Sequence, residues 1–185
     1  RKKLVIVGDG ECGKTCLLHR FVRNEFNENG YLPTVFENDV VEVMYGKTHV
    51  DLLLYDTAGQ ECYDRLRPIF YPDTDIVLIV FSLDNPDSLT NVVINWAPEI
   101  RHFCCKTPVI LVGTKSDIRD EHCDIDAVST VTVGPVKFED GCAMAYRINA
   151  LSYVECSSKL DKGVEDVFHA AIKASITKQK KKRFF

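Results

Sequence analysis

The sequence contains no apolar run that approaches the roughly 20 residues of a transmembrane helix, so nothing in it predicts a membrane span. It contains eight cysteines but no CxxC pair, and neither its cysteines nor its histidines have the spacing of a zinc site. Disulfide scaffolds are typical of secreted chains much shorter than these 185 residues. We therefore expect reduced thiols in a cytosolic protein.

The sequence also lacks a strong excess of either charge. Its formal net charge of -4 does not indicate a nucleic-acid partner, and 45% hydrophobic with 27% charged residues is typical of a globular domain. The basic residues are nevertheless concentrated at the end, because the last eight residues, KQKKKRFF, include four lysines and one arginine. We divide the chain into one globular domain over 1–179 and a basic C-terminal segment over 180–185.

Apolar runs alternate with amphipathic stretches, a pattern typical of an α/β fold whose sheet has helices on both faces. The predicted strands lie at 4–8, 38–45, 48–56, 75–83, 108–114 and 152–158, and the predicted helices at 14–22, 86–103, 137–149 and 162–179. A turn at Gly46 and Lys47 predicts a hairpin and hence one antiparallel edge strand. For a fifth helix after Asp117, a charged and then β-branched composition leaves helix and coil both open.

The stretch GDGECGKT, residues 8–15, fits the pattern G-x-x-x-x-G-K-[ST] between a predicted strand and a predicted helix. Its glycines let successive backbone N–H groups converge on phosphate, and the helix adds its positive N-terminal end. We expect Lys14 to reach the outer phosphates and the Thr15 hydroxyl to bind Mg²⁺. Glu11 brings a negative charge into this loop. Its repulsion of the phosphates predicts a few-fold weaker nucleotide binding and faster nucleotide exchange.

The stretch DTAGQ, residues 56–60, follows another predicted strand. Asp56 is expected at the sheet edge where ligands bind, where it would hold Mg²⁺ through water; the alternative is a simple strand-end cap. The backbone of Gly59 can approach a terminal phosphate. Gln60 can orient a water molecule, because a neutral amide both donates and accepts hydrogen bonds.

Two further strand ends predict which base is bound. In TKSD, residues 114–117, Asp117 offers two acceptors to the adjacent ring N–H and amine of guanine, whereas adenine presents an acceptor at that ring nitrogen. The alternative for TKSD is an ordinary turn. In CSSK, residues 156–159, backbone amides could meet the guanine oxygen, although this stretch taken alone is more often structural.

Together with PTVFEN (33–38), DTAGQE-x-YDRLRP (56–68), YPDTD (71–75), NPDSL (85–89) and ECSSK (155–159), these motifs resemble the Rho family of the Ras superfamily over essentially the whole chain. The resemblance implies a single P-loop GTPase domain with a six-stranded mixed sheet. It implies a switch that binds GTP or GDP with Mg²⁺ and changes the order of two loops with the γ-phosphate. It also implies slow GTP hydrolysis that a GTPase-activating protein accelerates.

The motifs and the resemblance together imply the residue roles. The nucleotide-binding residues are Gly8, Gly10, Glu11, Cys12, Gly13, Lys14, Thr15, Cys16, Phe26, Tyr31, Thr34, Gly59, Thr114, Lys115, Asp117, Ser157, Ser158 and Lys159. The metal ligands are Thr15, Thr34 and Asp56, and the catalytic residues are Lys14, Thr34 and Gln60. The residues that face effectors and regulators are Val35, Phe36, Glu37, Asn38, Tyr55, Tyr63, Arg65 and Leu66.

Five features depart from the usual Rho pattern. Glu11 stands where Ala or Gly is usual, and FNENGYLPT has one residue more between Phe26 and Thr34. Thr114 stands where the superfamily usually has Asn, and Tyr55 where the family uses Trp or Phe to select exchange factors. The region after Asp117 has the length of the Rho insert without its usual helical composition.

The resemblance also implies partners. We expect exchange factors, GTPase-activating proteins, a dissociation inhibitor, and effectors such as formins or kinases that act on the actin cytoskeleton. The basic end resembles the segment that precedes a prenylated cysteine, so we expect a monomer that cycles between the cytosol and the inner face of the plasma membrane, although no C-a-a-X box is visible. The main alternative is a GTP-locked scaffold without hydrolysis, which Gln60 and Gly10 disfavour; a P-loop metabolic kinase lacks its lid segment and does not account for TKSD.

Overall fold

The computed structural model describes residues 1–26, 36–122 and 134–182. Its strands are β1 Lys2–Gly8, β2 Phe36–Tyr45, β3 Thr48–Thr57, β4 Ile76–Ser82, β5 Val109–Thr114 and β6 Ser152–Glu155. Its helices are α1 Lys14–Arg23, α2 Pro86–Asn91, α3 Ala97–Phe103, α4 Ser116–His122, α5 Phe138–Arg147 and α6 Val164–Lys182. Two 3₁₀ turns, Glu61–Tyr63 and Arg67–Phe70, follow β3, and a π-helical turn, Val92–Trp96, joins α2 to α3.

The six strands form one sheet in the order β2-β3-β1-β4-β5-β6. Only the pair β2 and β3 is antiparallel, joined through the predicted turn at Gly46, and every other pair is parallel. The prediction of a six-stranded mixed sheet with one antiparallel edge strand is therefore confirmed. Because β1, β3, β4, β5 and β6 run parallel, their carboxyl ends meet at one edge, where ligands bind in open α/β sheets.

The alternation of side chains along each strand divides the interior into two cores. Leu4 and Ile6 of β1 face one side, where they belong to a cluster with Leu17 of α1 and Phe168 of α6. The next residues along β1 face the other side, where Trp96 and the helices around it cover them. Both faces of β1 are thus buried, which explains why LVIV is a continuous apolar run.

The structure replaces the single predicted helix over 86–103 by α2, the π-helical turn and α3. Asn85 caps the start of α2, since its side chain accepts a hydrogen bond from the Asp87 N–H at 3.1 Å. Pro98 lies in the first turn of α3 and has no N–H to donate, so the regular bonding pattern cannot continue through it. A wider turn immediately before a proline relieves the clash between its ring and the preceding turn.

The remaining differences lie at element ends. The predicted strand over 152–158 ends at Glu155, because the chain then turns and Ser157 pairs with Lys162. After Asp117 the structure contains α4, and residues 123–133 of the insert lie outside the described part of the chain. Over the described residues, no helix is long and apolar enough to cross a membrane.

Candidate nucleotide-binding site

The GDGECGKT loop connects the carboxyl end of β1 to the start of α1, as its pattern predicts. Two of its glycines, Gly8 and Gly13, have positive φ angles of 150° and 86°. At Gly8 any Cβ atom would lie 2.1 Å from the Val80 carbonyl oxygen, so the backbone at the end of β1 lies closer to β4 than another residue allows. The loop therefore curls over the end of the sheet with its backbone close to the strands.

Lys14 is buried inside this curl. Its ammonium group donates hydrogen bonds to the carbonyl oxygens of Gly8 at 2.9 Å and Asp9 at 2.6 Å. The side chain is only 6% exposed, although it is a lysine. Buried ammonium groups require such partners, and these two contacts hold the charge at the mouth of the loop, where a phosphate would meet it.

The Cys12 side chain is buried under the loop, where its Sγ lies 3.6 Å from the Val80 carbonyl oxygen and 3.8 Å from the Lys14 ammonium group. Burial raises the pKa of this thiol, so it stays protonated and inert. Cys12 can therefore contribute only its backbone to a nucleotide.

Thr15 and Asp56 meet at the start of α1 and the end of β3. The Thr15 hydroxyl donates to Asp56 Oδ2 at 2.5 Å. The other carboxylate oxygen, Oδ1, is buried and has no hydrogen-bond partner among the described residues. Burial raises the pKa of Asp56 to about 6, against the opposing effects of the Thr15 hydrogen bond and the Lys14 charge.

A buried carboxylate oxygen without a partner is costly unless something binds it. The group that fits is a small divalent cation, because Mg²⁺ prefers carboxylate and hydroxyl oxygens. Thr15 and Asp56 would hold it on the phosphate side of the loop. Thr34, the third predicted ligand, lies outside the described residues together with Tyr31, Val35 and the extra residue of FNENGYLPT.

Gly59 lies directly against the phosphate loop. A Cβ atom at this position would be 2.4 Å from the Gly8 carbonyl oxygen and 2.5 Å from the Gly10 nitrogen. Gln60 follows immediately and is exposed, with the Cys62 thiol 3.7 Å from its Oε1. The backbone of Gly59 thus anchors the chain so that Gln60 stands beside the phosphate end of the site.

On the base side, the ends of β5 and β6 meet. Asp117 is 5% exposed and accepts a hydrogen bond from the Ser157 hydroxyl at 2.5 Å. Lys115 has a positive φ of 61°, and its ammonium group pairs with Asp84 at 3.1 Å. Burial alone would raise the pKa of Asp84, but the Ser82 hydrogen bond and the Lys115 charge hold that pKa below its usual value.

The threonine that replaces the usual asparagine has a visible role. The Thr114 hydroxyl donates to the Cys12 carbonyl oxygen at 2.6 Å and lies 3.1 Å from the Phe81 carbonyl oxygen. It therefore joins the strand end on the base side to the phosphate loop. A hydroxyl can do this with one donor, so the departure does not disconnect the two halves of the site.

In CSSK, the two serines differ in the hydrogen bonds that their backbone N–H groups make. The Ser157 N–H donates to the Lys162 carbonyl oxygen at 2.8 Å, and the Ser157 hydroxyl donates to Asp117. Ser157 therefore acts through Asp117, and its amide is engaged within the turn. The amides expected at the guanine oxygen are then those of Ser158 and Lys159.

Three anchoring residues escape the sequence prediction. The Asp9 carboxylate accepts from Asn91 Nδ2 and from Trp96 Nε1, both at 2.7 Å, which ties the phosphate loop to the helices beside it. Arg67 is 2% exposed, donates to the Ala58 carbonyl oxygen at 3.1 Å and pairs with Glu99 at 2.7 Å. The third is Arg20. All three partnerships cross large sequence separations, and no spacing in the chain predicts them.

The predicted regulator-facing residues lie on one side of this site. Glu37, on β2, pairs with His19 of α1 at 3.2 Å. The Tyr55 ring lies under the Lys3 ammonium group, 4.4 Å from it. A cavity of about 100 Å³ opens beside the second loop, and its lining includes Tyr63 and Leu66. Phe36, Asn38 and Arg65 complete the described members of the set.

The described site residues thus come from the ends of β1, β3, β5 and β6, as in a domain that binds a nucleotide with its phosphates on a loop and its base between two strand ends. A family model described as the Ras family matches residues 3–177. The chain is also 53% identical over 180 residues to the Rho-related GTP-binding protein RhoB of Homo sapiens, which covers 97% of this chain and 91% of that protein. The chain therefore belongs to the Rho family of small GTPases, within the Ras family of GTP-binding proteins.

Proposed function

We propose that this GTPase is a Rho-type switch that hydrolyses GTP slowly by itself and rapidly with a GTPase-activating protein. The observation that carries the proposal is the pairing of Thr15 with Asp56, whose second carboxylate oxygen is buried and has no hydrogen-bond partner among the residues that the structure describes. Bound Mg²⁺ would neutralise charge on the phosphates there. The protein's own groups would do the rest: Lys14 would hold the outer phosphates and Gln60 would orient water.

We expect slow intrinsic hydrolysis because two arginines near the site, Arg20 and Arg67, already bind other groups of the protein. Arg20 is engaged by backbone carbonyl groups of the base-side loop, and Arg67 by Glu99 and Asp64. Neither is placed to stabilise charge on a transferring phosphoryl group. Gly10 has no side chain, which leaves room for an arginine from a partner, and such an arginine accelerates hydrolysis by about 10³- to 10⁵-fold.

Single-turnover hydrolysis of bound GTP, with Mg²⁺ and with or without a Rho GTPase-activating protein, tests this proposal. We expect a slow unaided reaction and an acceleration of at least about 10³-fold. A protein that retained GTP unchanged in both conditions would be a GTP-locked scaffold. Turnover many times per second without a partner would contradict the need for an arginine in trans.

The partners we propose are those of a membrane-cycling Rho protein. Leu66 and Ile69 are 48% and 66% exposed beside the second loop, and Val40 and Met44 are exposed on β2. Exposed apolar side chains next to a nucleotide-dependent loop support binding of exchange factors, activating proteins, a dissociation inhibitor and effectors such as formins or kinases that act on actin. The basic end, with a prenyl group, would supply binding to the inner face of the plasma membrane.

The raised pKa of Asp56 predicts that, without Mg²⁺ and nucleotide, the free energy of unfolding falls as the pH rises. Because the folded-state pKa of about 6 exceeds the ordinary 3.8, this group favours folding below pH 4, and that contribution is lost as the pH rises through 6. We expect Asp56→Asn to raise the free energy of unfolding at pH 7.5 by about 1–3 kcal/mol and to have little effect at pH 4. Urea unfolding of nucleotide-free protein at both pH values measures this difference.

The same variant should lose the ability of Mg²⁺ to slow GDP release, because an amide is a poor replacement for a carboxylate ligand. Asp51→Asn, at an exposed position of β3, is the matched control and should change neither quantity. A variant that was destabilised at pH 7.5, or that kept its full response to Mg²⁺, would show that Asp56 has a structural role instead.

The exposure of Glu11 supports its proposed role as a charge that weakens nucleotide binding. It is exposed and has a φ of 62°, a left-handed conformation that is unusual for a residue with a side chain. A unit charge about 7 Å from phosphate costs ~0.6 kcal/mol in water and about four times that near a protein surface, and bound Mg²⁺ and Lys14 would offset part of this cost. We expect Glu11→Gln, which removes the charge and keeps the backbone strain, to slow GDP release about two- to fivefold.

The release of a fluorescent GDP measures this effect, and Glu139→Gln on the exposed face of α5 controls for a change in net charge alone. The effect should shrink as salt rises, because screening weakens interactions between exposed charges. Unchanged release from Glu11→Gln at low salt would show that Glu11 does not act on the nucleotide.

A further inference from the structure

Arg20 lies in the last turn of α1, outside every motif of the nucleotide site. Its Nε donates to the Ser158 carbonyl oxygen at 2.7 Å, and its Nη2 lies 3.5 Å from the Lys159 carbonyl oxygen. Its Nη1 donates to the backbone and side-chain oxygens of Asn24, at 3.1 and 3.2 Å. One guanidinium group therefore bridges the end of α1 and the CSSK loop, which lie far apart in sequence.

The same guanidinium lies over the ring of Phe26, with its Cζ 5.9 Å from the ring centroid. Phe26 is one of the nucleotide-binding residues that the resemblance implies, and Ser158 and Lys159 carry the amides expected at the guanine oxygen. Since α1 begins at Lys14 and Thr15, Arg20 also connects these base-side groups to the helix that starts at the phosphates.

Arg20 restrains a part of the CSSK loop that the contacts within the loop do not restrain. Ser157 is fixed from the inside, by its hydrogen bond to Asp117 and by its backbone pairing with Lys162. Arg20 adds a restraint from the outside, at the carbonyl groups of the next two residues. The Ser158 carbonyl group and the Lys159 N–H belong to one planar peptide unit, so a guanidinium group that bonds this carbonyl restricts the rotation of the unit and fixes the direction of the Lys159 N–H.

We propose that Arg20 is a positioning residue for the guanine base: it holds the turn at Ser158 and Lys159 so that their amides meet the oxygen at position 6 of guanine. This inference rests on the proposed guanine-nucleotide switch and deepens it. Arg20 touches neither the phosphates nor the attacking water, so it acts on retention of the base and leaves the chemical step of hydrolysis unchanged.

The measurement is the release rate of two nucleotides, GDP and the diphosphate of 2-aminopurine riboside, which lacks the oxygen at position 6 together with the hydrogen on the adjacent ring nitrogen. We expect Arg20→Ala to accelerate GDP release about tenfold, in line with the loss of one hydrogen bond from a charged donor. Release of the 2-aminopurine nucleotide should accelerate much less. Any effect through the Phe26 ring applies to both purines and cancels in the ratio of the two rates.

Arg23→Ala is the matched control, because Arg23 is in the same turn of α1 but pairs with Asp39 at 3.4 Å on the side of β2. Arg23→Ala should leave the ratio of the two release rates unchanged. Arg20→Lys should restore part of the discrimination, since an ammonium group can reach one carbonyl group but not fork across two. Arg20→Gln provides a second, uncharged variant of similar length if the alanine variant does not fold.

Equal acceleration of both nucleotides, or no acceleration, would overturn the proposal and leave Arg20 as a cap of α1 through Asn24. If the wild-type protein failed to prefer GDP over the 2-aminopurine nucleotide, the proposed function and this inference would both fail. A wild-type preference that Arg20→Ala left intact would overturn the inference alone.

Discussion

Replacing Gln60 by leucine is expected to lower GTP hydrolysis stimulated by a GTPase-activating protein by about 10³-fold or more. The leucine side chain has a similar size but can neither donate nor accept the hydrogen bonds that orient a water molecule. Gly59 keeps this residue at the phosphate end, because its Cα lies against the backbone of Gly8 and Gly10 with no space for a Cβ. Single-turnover hydrolysis with a saturating activating protein gives the rate.

Binding of GDP and GTP should stay within about twofold in this variant, since Gln60 contributes to the transition state and not to ground-state binding. Cys62→Ala is the matched control: it removes the thiol 3.7 Å from Gln60 Oε1 and leaves the amide in place. Sulfur hydrogen bonds are weak, so we expect the stimulated rate of this control to remain within about twofold. Full stimulation of the Gln60→Leu protein would show that another group orients the water.

Replacing Asp117 by asparagine is expected to invert the base preference. A carboxylate accepts from the ring N–H and the exocyclic amine of guanine, whereas an asparagine presents a donor to that amine and one remaining acceptor. Two hydrogen bonds to a charged group contribute about 1.5–3 kcal/mol each, so GDP affinity should fall by about 10²- to 10⁴-fold. Xanthosine diphosphate, which carries a carbonyl oxygen in place of the amine, should become the preferred ligand.

The structure indicates that this variant keeps its fold. Asparagine retains Oδ1, the atom that accepts from the Ser157 hydroxyl, so the link between β5 and β6 survives. Competition of GDP, inosine diphosphate and xanthosine diphosphate against a fluorescent nucleotide measures the preference. Ser157→Ala is the control, because it removes that link without changing the acceptors and should weaken both bases to a similar degree. Equal loss of GDP and xanthosine diphosphate in Asp117→Asn would contradict a direct contact.

The strands and the phosphate loop were predictable because local signals agree with the tertiary structure. LVIV must be buried on both faces, and a continuous β-branched run indicates this without knowledge of its neighbours. The phosphate loop needs glycine where its backbone lies against β4. The spacing of the glycines in the sequence therefore indicates where the backbone makes this close approach. The positions of Asp56 and Asp117 followed, since residues after parallel strands meet at one edge.

Other features depend on residues far apart in the chain. The π-helical turn at Val92–Trp96 reflects how Trp96 reaches the Asp9 carboxylate and how the helix then continues past Pro98. The shorter β6 reflects a turn that pairs Ser157 with Lys162. Neither a periodicity nor a motif contains this information, because each of these contacts joins elements whose relative positions are set only when the sheet has formed.

By itself, the sequence determined the α/β class, the strand that buries both faces, the phosphate-binding loop and the order of the guanine-reading motifs. Each of these is a local pattern of side-chain size, polarity or backbone freedom. Only the tertiary structure decided that Asp56 keeps one carboxylate oxygen buried with no partner in the described part of the chain, that Thr114 joins the base side to the phosphate loop, and that Arg20 holds the CSSK loop. These three facts concern burial and hydrogen bonds between distant segments, which exist only after the strand ends have been brought together at one edge of the sheet.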